Sequence, residues 1–195
     1  FFLSGLVGVS GIGLWGTAQR WAYFPYRFLV DSVTKVTFPA YSRVQQDEVA
    51  LRSGIEKSLF MVSLFLFPIL VIVSVSVPSL IHIIPRYTKW EPAIISFYFL
   101  AAQSAVAALT NILVNVLDAT GRVKTTLMLM VMWIIATWVL TILAVARFGF
   151  TGISIAAFVV SLSIVVVIFL VKRVVKFDFI ANIWRQIIGS LIMGV

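Results

Sequence analysis

The chain has 195 residues, of which 62% are hydrophobic and only 11% are charged, and its formal net charge is +8. In soluble domains about a quarter of the residues are charged, so this composition excludes an ordinary soluble protein. The absence of cysteine excludes disulfides, thiol catalysis and cysteine-based metal sites. The basic residues are scattered between apolar runs and form no patch, so no nucleic-acid partner is predicted.

Apolar segments follow one another along the chain. An apolar run over residues 1–13 is too short to cross a bilayer, and a charged helix is predicted over 14–41. Four runs whose charged residues lie only within two positions of either end then reach the ~20 residues that a helix needs to cross ~30 Å of hydrocarbon. These predicted spans are 57–84, 92–118, 123–146 and 149–171, and a partial span over 179–195 follows. The pattern predicts an all-α polytopic membrane helix bundle with about five complete transmembrane helices and partial helices at both ends. We interpret residues 1–195 as a single membrane domain, a fragment of a longer protein.

Basic residues in the short loops predict the orientation. The loops 41–57, 118–124 and 172–178 share one side and carry eight Lys or Arg, against three on the other side. The eight are Arg43, Arg52, Lys57, Arg122, Lys124, Lys172, Arg173 and Lys176, and the three are Arg86, Lys89 and Arg147. Because Lys and Arg are enriched in cytoplasmic loops, we expect the three basic loops to be cytoplasmic.

The helix predicted over 14–41 carries Arg20, Arg27, Asp31 and Lys35. At 100° per residue these side chains lie within one third of the helix circumference. A charge at the centre of a bilayer costs at least ~2.5 kcal/mol, so such a face should look into protein or a water-filled cavity. One interpretation is a cationic wall for an anionic ligand, with Asp31 tuning its charge or exchanging a coupling ion. The other is that Arg20 and Lys35 extend to the two interfaces, leaving Arg27 and Asp31 as a helix-locking ion pair.

The span 92–118 supplies uncharged polar groups. Gln103, Asn111 and Asn115 lie on a broad common side of the predicted helix. They are candidates for a polar cavity wall that faces water or sugar, but hydrogen bonds between helices explain them equally well. Catalytic patterns do not emerge: no Ser-His-Asp set can be assembled around a single histidine, and no glycine-rich phosphate loop follows a strand. No catalytic residue and no metal site is predicted, and nothing argues for an enzyme.

Three stretches match motifs of a known family. "LVGVSGIGLWGTAQRWAYFPYRFLVDSVTKVTFPAYSRVQQD" resembles the segment of polysaccharide and O-antigen flippases in which a "G-alG-Y-slA-R" run precedes a helix ending in "fPalSr-q". "LVNVLDATGRVKTTL" is similar to the family's "ll-alGr-k" turn, and "RFGFTGISIAAFVVSL" is similar to its "fGl-GvAlA" span start. The matching positions include Gly8, Gly13, Ala18, Arg20, Pro39, Ser42, Arg43, Gly121, Arg122, Lys124, Gly149, Gly152 and Ala156. Trp15 stands where tyrosine is commoner in the family.

The resemblance implies the second lobe of an exporter of the multidrug/oligosaccharidyl-lipid/polysaccharide superfamily. Such exporters place two six-helix lobes around a central cavity and work by alternating access. The implied function is the flipping of undecaprenyl-diphosphate-linked oligosaccharide across the bacterial inner (plasma) membrane, in O-antigen, lipopolysaccharide or other cell-surface polysaccharide biosynthesis. The implied partners are this lipid-linked oligosaccharide, membrane lipids and the N-terminal half of the same chain. No cofactor is expected, although an H⁺ or Na⁺ gradient is a possible coupling source.

By the same resemblance, Arg20, Arg27 and Lys35 are candidates for binding the diphosphate. Two other functions stay open. A multidrug or cation antiporter of the same superfamily would need an acidic cavity, and Asp31 is the only acid deep in a predicted span. A membrane-embedded glycosyltransferase or ligase that acts on the same lipid carrier would need catalytic carboxylates or a metal-binding pair beside a large outer loop.

Overall fold

The described part of the chain is built from helices. The computed structural model describes residues 2–179, 183–184, 186 and 189–190, and within them all regular structure is helical, which confirms the all-α fold. In chain order the elements are α1 (Phe2–Arg43), α2 (Glu48–Ile83), a 3₁₀-helix (Pro85–Trp90), α3 (Ala93–Ala119), α4 (Val123–Phe148), α5 (Thr151–Ser161) and α6 (Ile164–Lys172). The partial span predicted over 179–195 lies largely outside the described residues.

Four helical stretches of the described chain are long and apolar enough to cross a membrane. They are Glu48–Ile83, Ala93–Ala119, Val123–Phe148 and Thr151–Lys172. The last consists of α5 and α6, which a short break at Leu162 and Ser163 separates. These helices confirm a polytopic membrane helix bundle. Helix α1 is not among the four, and its second half carries four charged residues, so its passage through the membrane stays a prediction.

Helix α2 begins well before the apolar run that predicted it. Its N-cap is Asp47, whose Oδ1 accepts hydrogen bonds from the backbone N–H groups of Val49 and Ala50, both at 3.0 Å. Such a cap satisfies two of the donors that a helix start leaves without partners. Leu51 and Ile55 are then buried on the first turns. The loop expected here is therefore reduced to the few residues between α1 and Asp47.

Helix α3 ends in a turn that requires glycine. Gly121 adopts φ +77°, a left-handed conformation that glycine tolerates without the penalty of a Cβ atom. The N–H of Arg122 donates to the carbonyl of Leu117 at 2.8 Å, and the N–H of Gly121 donates to that of Asp118 at 3.1 Å. These two bonds form a Schellman motif, and they reverse the chain into α4 as the sequence "DATGRVK" predicts.

Helix α3 is the centre of the bundle. It packs against α1, α2, α5 and α6, and it buries Phe97, Leu100, Ile112 and Leu113 almost completely. Helices α1 and α3 run in the same direction. The hydrogen-bonded partners on the two helices are 80 residues apart in sequence at Tyr23 and 77 to 81 residues apart at Thr34. This separation would change steeply from one contact to the next if the helices were antiparallel. A parallel pair requires an intervening element that crosses back, and α2 is that element.

Helices α4 and α5 meet through a glycine. Gly149 ends α4 with φ +59°, and three residues later Gly152 lies directly against the backbone of Ala144. A Cβ atom built on Gly152 would overlap the Ala144 carbonyl. The tight turn predicted from "RFGFTG" is thus a place where two helix backbones touch.

Candidate functional site

The charged face of α1 forms one open hollow. Arg20, Arg27 and Asp31 are exposed and line the same cavity of about 560 Å³. Its other walls are Gln19, Tyr23, Phe24, Phe28 and Ser32, so every lining residue comes from α1. We call this cavity the cationic hollow. Lys35 is also exposed, one turn beyond Asp31, but it is not part of the lining.

The charges in the cationic hollow are not paired with one another. The described residues contain two ion pairs within 4.0 Å, and both involve Arg52, which binds Glu56 at 2.9 Å and Asp178 at 3.2 Å. Arg27 and Asp31 have the spacing of an i,i+4 pair, yet no such pair is formed in this structure. The hollow therefore holds two guanidinium groups and one carboxylate with an excess of positive charge.

The amides predicted on the next polar helix bind α1. The Thr34 hydroxyl donates to Asn111 Oδ1 at 3.0 Å, while Asn115 Nδ2 donates to Thr34 Oγ1 at 3.2 Å and to Asn111 Oδ1 at 3.1 Å. A second contact lies further along, where the Tyr23 hydroxyl donates to Gln103 Oε1. All three predicted amides thus take part in hydrogen bonds, which join α1 to α3.

A second cavity lies on the other side of the Tyr23–Gln103 contact. It has a volume of about 440 Å³ and is lined by residues of α1, α3, α4 and α5 together with Ser163. We call it the neutral hollow, because none of its lining side chains is charged. Gln103 and Asn111 belong to its wall, whereas Asn115 does not. Apart from Lys35, the site residues predicted from the sequence therefore lie in one of the two cavities or in the hydrogen-bonded contact between α1 and α3.

Sequence reasoning missed Thr34 and Tyr23 as the partners that position these amides. Thr34 lies on the same face of α1 as Arg27, which was visible from the helical period. Which helix would lie opposite that face was not visible, because the sequence pattern fixes the face of a helix but not its neighbour.

Comparison with protein families gives a match over the first part of the chain. Residues 1–95 match the model of a family described as "Polysaccharide biosynthesis protein". This part of the chain is similar to that family. The match runs from the start of α1 to the first turn of α3 and so contains all four charged residues of the α1 face. Neither the comparison with curated proteins nor that with solved structures gave a match.

This match confirms the predicted resemblance to polysaccharide flippases over residues 1–95. The four membrane-capable helices indicate a multi-pass membrane protein. In the described residues, no three His, Asp or Glu side chains come together as a metal site would require.

Proposed function

We propose that this polysaccharide biosynthesis protein flips undecaprenyl-diphosphate-linked oligosaccharide across the bacterial inner membrane by alternating access. The observation that carries the proposal is the cationic hollow, in which Arg20 and Arg27 share one cavity and neither guanidinium is paired with Asp31. Two uncompensated positive charges on a helix of a membrane protein need an anionic partner, and a diphosphate is the anionic group of such a lipid carrier.

Arginine is well suited to this partner. The planar guanidinium donates two parallel hydrogen bonds to phosphate oxygens and stays charged at every physiological pH. Arg20 and Arg27 are seven residues apart, about 10 Å along the helix axis, so both long side chains can reach one diphosphate from the same face. Lys35 would extend this surface towards the cytoplasmic end of α1.

Asp31 completes the proposed cycle. A carboxylate beside two arginines limits the excess positive charge, so that the diphosphate is held but can leave. Asp31 is also the group in the hollow able to exchange H⁺ or bind Na⁺, and it is our candidate for coupling to an ion gradient. The excess of Lys and Arg in the loops 41–57, 118–124 and 172–178 supports a cytoplasmic location for them, and the lipid-linked oligosaccharide would enter from that side. The opposite wall of the transport cavity is assigned to the N-terminal half of the same protein.

The test is Arg27→Gln in the whole protein, assayed for restoration of surface polysaccharide in cells that lack the wild-type protein. Hydrogen bonds to charged groups contribute about 1.5–3 kcal/mol, so we expect export to fall roughly tenfold to a hundredfold. Arg43→Gln is the matched control, because Arg43 is an exposed arginine at the end of the same helix and outside the hollow. Wild-type export by Arg27→Gln and by the double variant with Arg20→Gln, at equal membrane levels, would contradict the proposal.

A further inference from the structure

The neutral hollow lies beside the cationic hollow and has different chemistry. Its polar wall includes Gln103, Asn111, Trp133, Thr137 and Ser163. These side chains come from two long helices and from the break between α5 and α6. A cavity of about 440 Å³ falls within the range of small-molecule binding sites. We propose that the neutral hollow binds an uncharged sugar residue, the one attached directly to the diphosphate.

The neutral hollow offers both donors and acceptors to a ligand. Gln103 Oε1 accepts the Tyr23 hydroxyl, which leaves the Gln103 amide nitrogen without a partner among the described residues. Trp133 Nε1 donates to Ser163 Oγ at 2.7 Å, so the Ser163 hydroxyl keeps its own proton to donate. Thr137 is exposed and contributes a further hydroxyl. Sugar hydroxyls both donate and accept, so they match this mixture.

Two other classes of occupant fit poorly. A phosphate or a carboxylate would find no opposite charge in the lining, and burying an unpaired charge is costly. An alkyl chain would cover the amide and hydroxyl groups without bonding to them, which also costs free energy. The aromatic rings of Trp133 and Tyr26 add apolar surface against which the C–H face of a sugar ring can pack. An aromatic wall with neutral hydrogen-bonding groups therefore favours a sugar.

The position of the neutral hollow gives the order of groups on the ligand. Tyr26 lines the neutral hollow and Arg27 lines the cationic hollow, and the Cα atoms of adjacent residues are ~3.8 Å apart. The hydrogen bond between Tyr23 and Gln103 stands between the two cavities. A diphosphate held at Arg27 would thus place the first sugar, and not a distant one, at the neutral hollow. This inference rests on the proposed function, because it takes the diphosphate to bind in the cationic hollow.

The experiment compares ligands that differ only in that sugar. The whole protein in lipid nanodiscs is titrated with undecaprenyl diphosphate and with the same lipid carrying one glucose or one N-acetylglucosamine residue. We expect at least one sugar-bearing lipid to bind about tenfold more tightly than the bare lipid, since a few hydrogen bonds of ~1 kcal/mol net suffice. The double variant Trp133→Phe, Thr137→Val should remove that advantage and leave the affinity for the bare lipid unchanged.

The matched control is Trp138→Phe, on the same helix but 56% exposed and outside the lining, and it should keep the advantage. Equal binding of all three lipids to the wild-type protein would overturn the sugar site and leave the proposed function standing. The sugar site would also be overturned, and the proposed function left standing, if the double variant weakened the binding of the bare and the sugar-bearing lipids equally. If the wild-type protein binds none of them, the proposed function itself fails.

Discussion

Helices α1 and α3 are joined differently from helices α4 and α5. The α1–α3 contact depends on polar side chains, with Thr34 bound to Asn111 and Asn115 and Tyr23 bound to Gln103. The α4–α5 contact depends on the absence of a side chain at Gly152. Membrane helices lack the hydrophobic driving force that joins helices in water, so close packing and hydrogen bonds hold them together instead. The polar contact holds α1, the helix that carries Arg20, Arg27 and Asp31, and the glycine contact holds helices with few polar groups.

The largest effect is expected from Gly152→Ala. The added methyl group would overlap the Ala144 backbone, which cannot move aside as a flexible side chain can. Overpacking of this kind costs about 1–3 kcal/mol, so the thermal unfolding midpoint in detergent should fall clearly and the yield of folded protein should drop. Gly13→Ala is the control, because a Cβ at Gly13 meets no atom within 4 Å. Equal midpoints for the two variants would show that the α4–α5 contact is not close-packed.

An intermediate effect is expected from Asn115→Leu. This substitution removes two hydrogen bonds, to Thr34 and to Asn111, while the bond between Thr34 and Asn111 can remain. Hydrogen bonds between membrane helices contribute about 0.6 kcal/mol on average and up to about 1.7, so destabilisation should be near 1 kcal/mol. The control is Thr110→Val, whose hydroxyl bonds within its own helix to the Val106 carbonyl. A smaller loss for Asn115→Leu than for the control would contradict a polar α1–α3 contact.

The smallest effect is expected from Tyr23→Phe. It removes the single bond to Gln103 and keeps the ring, so the loss should be about 0.6 kcal/mol. Differential scanning fluorimetry measures the shift of the unfolding midpoint. The control is Tyr87→Phe, because the exposed Tyr87 makes no α1–α3 contact. A midpoint shift as large as that of Gly152→Ala would overturn the ranking of the two contacts.

The sequence predicted the helices better than it predicted their neighbours. Long uncharged runs predicted the membrane-capable helices, because only a long apolar helix can cross the hydrocarbon of a bilayer. Gly121 predicted the α3–α4 turn, because glycine is the residue that most readily adopts the left-handed φ of a helix end. The one-sided charges of α1 predicted that Arg20, Arg27 and Asp31 share a surface, and they line one hollow. Gln103 and Asn111 were predicted as part of a polar cavity wall and line the neutral hollow, but Trp133 and Ser163 could not be predicted beside them, because tertiary packing brings these residues together. The start of α2 at Glu48, after the N-cap Asp47, lies ahead of the predicted span. It was missed because the prediction rested on hydrophobicity, and a capping residue is polar.

The two attachment points between α1 and α3 limit the motions available to the protein. Tyr23 and Thr34 are eleven residues apart, so the hydrogen bonds they make to α3 lie about 16 Å apart along the helix axis. Two such points oppose both sliding and tilting of α1 against α3, since either motion would break hydrogen bonds at one level or both. Under the proposed alternating access, a movement of α1 that shifts Arg20 and Arg27 would then shift α3 with it.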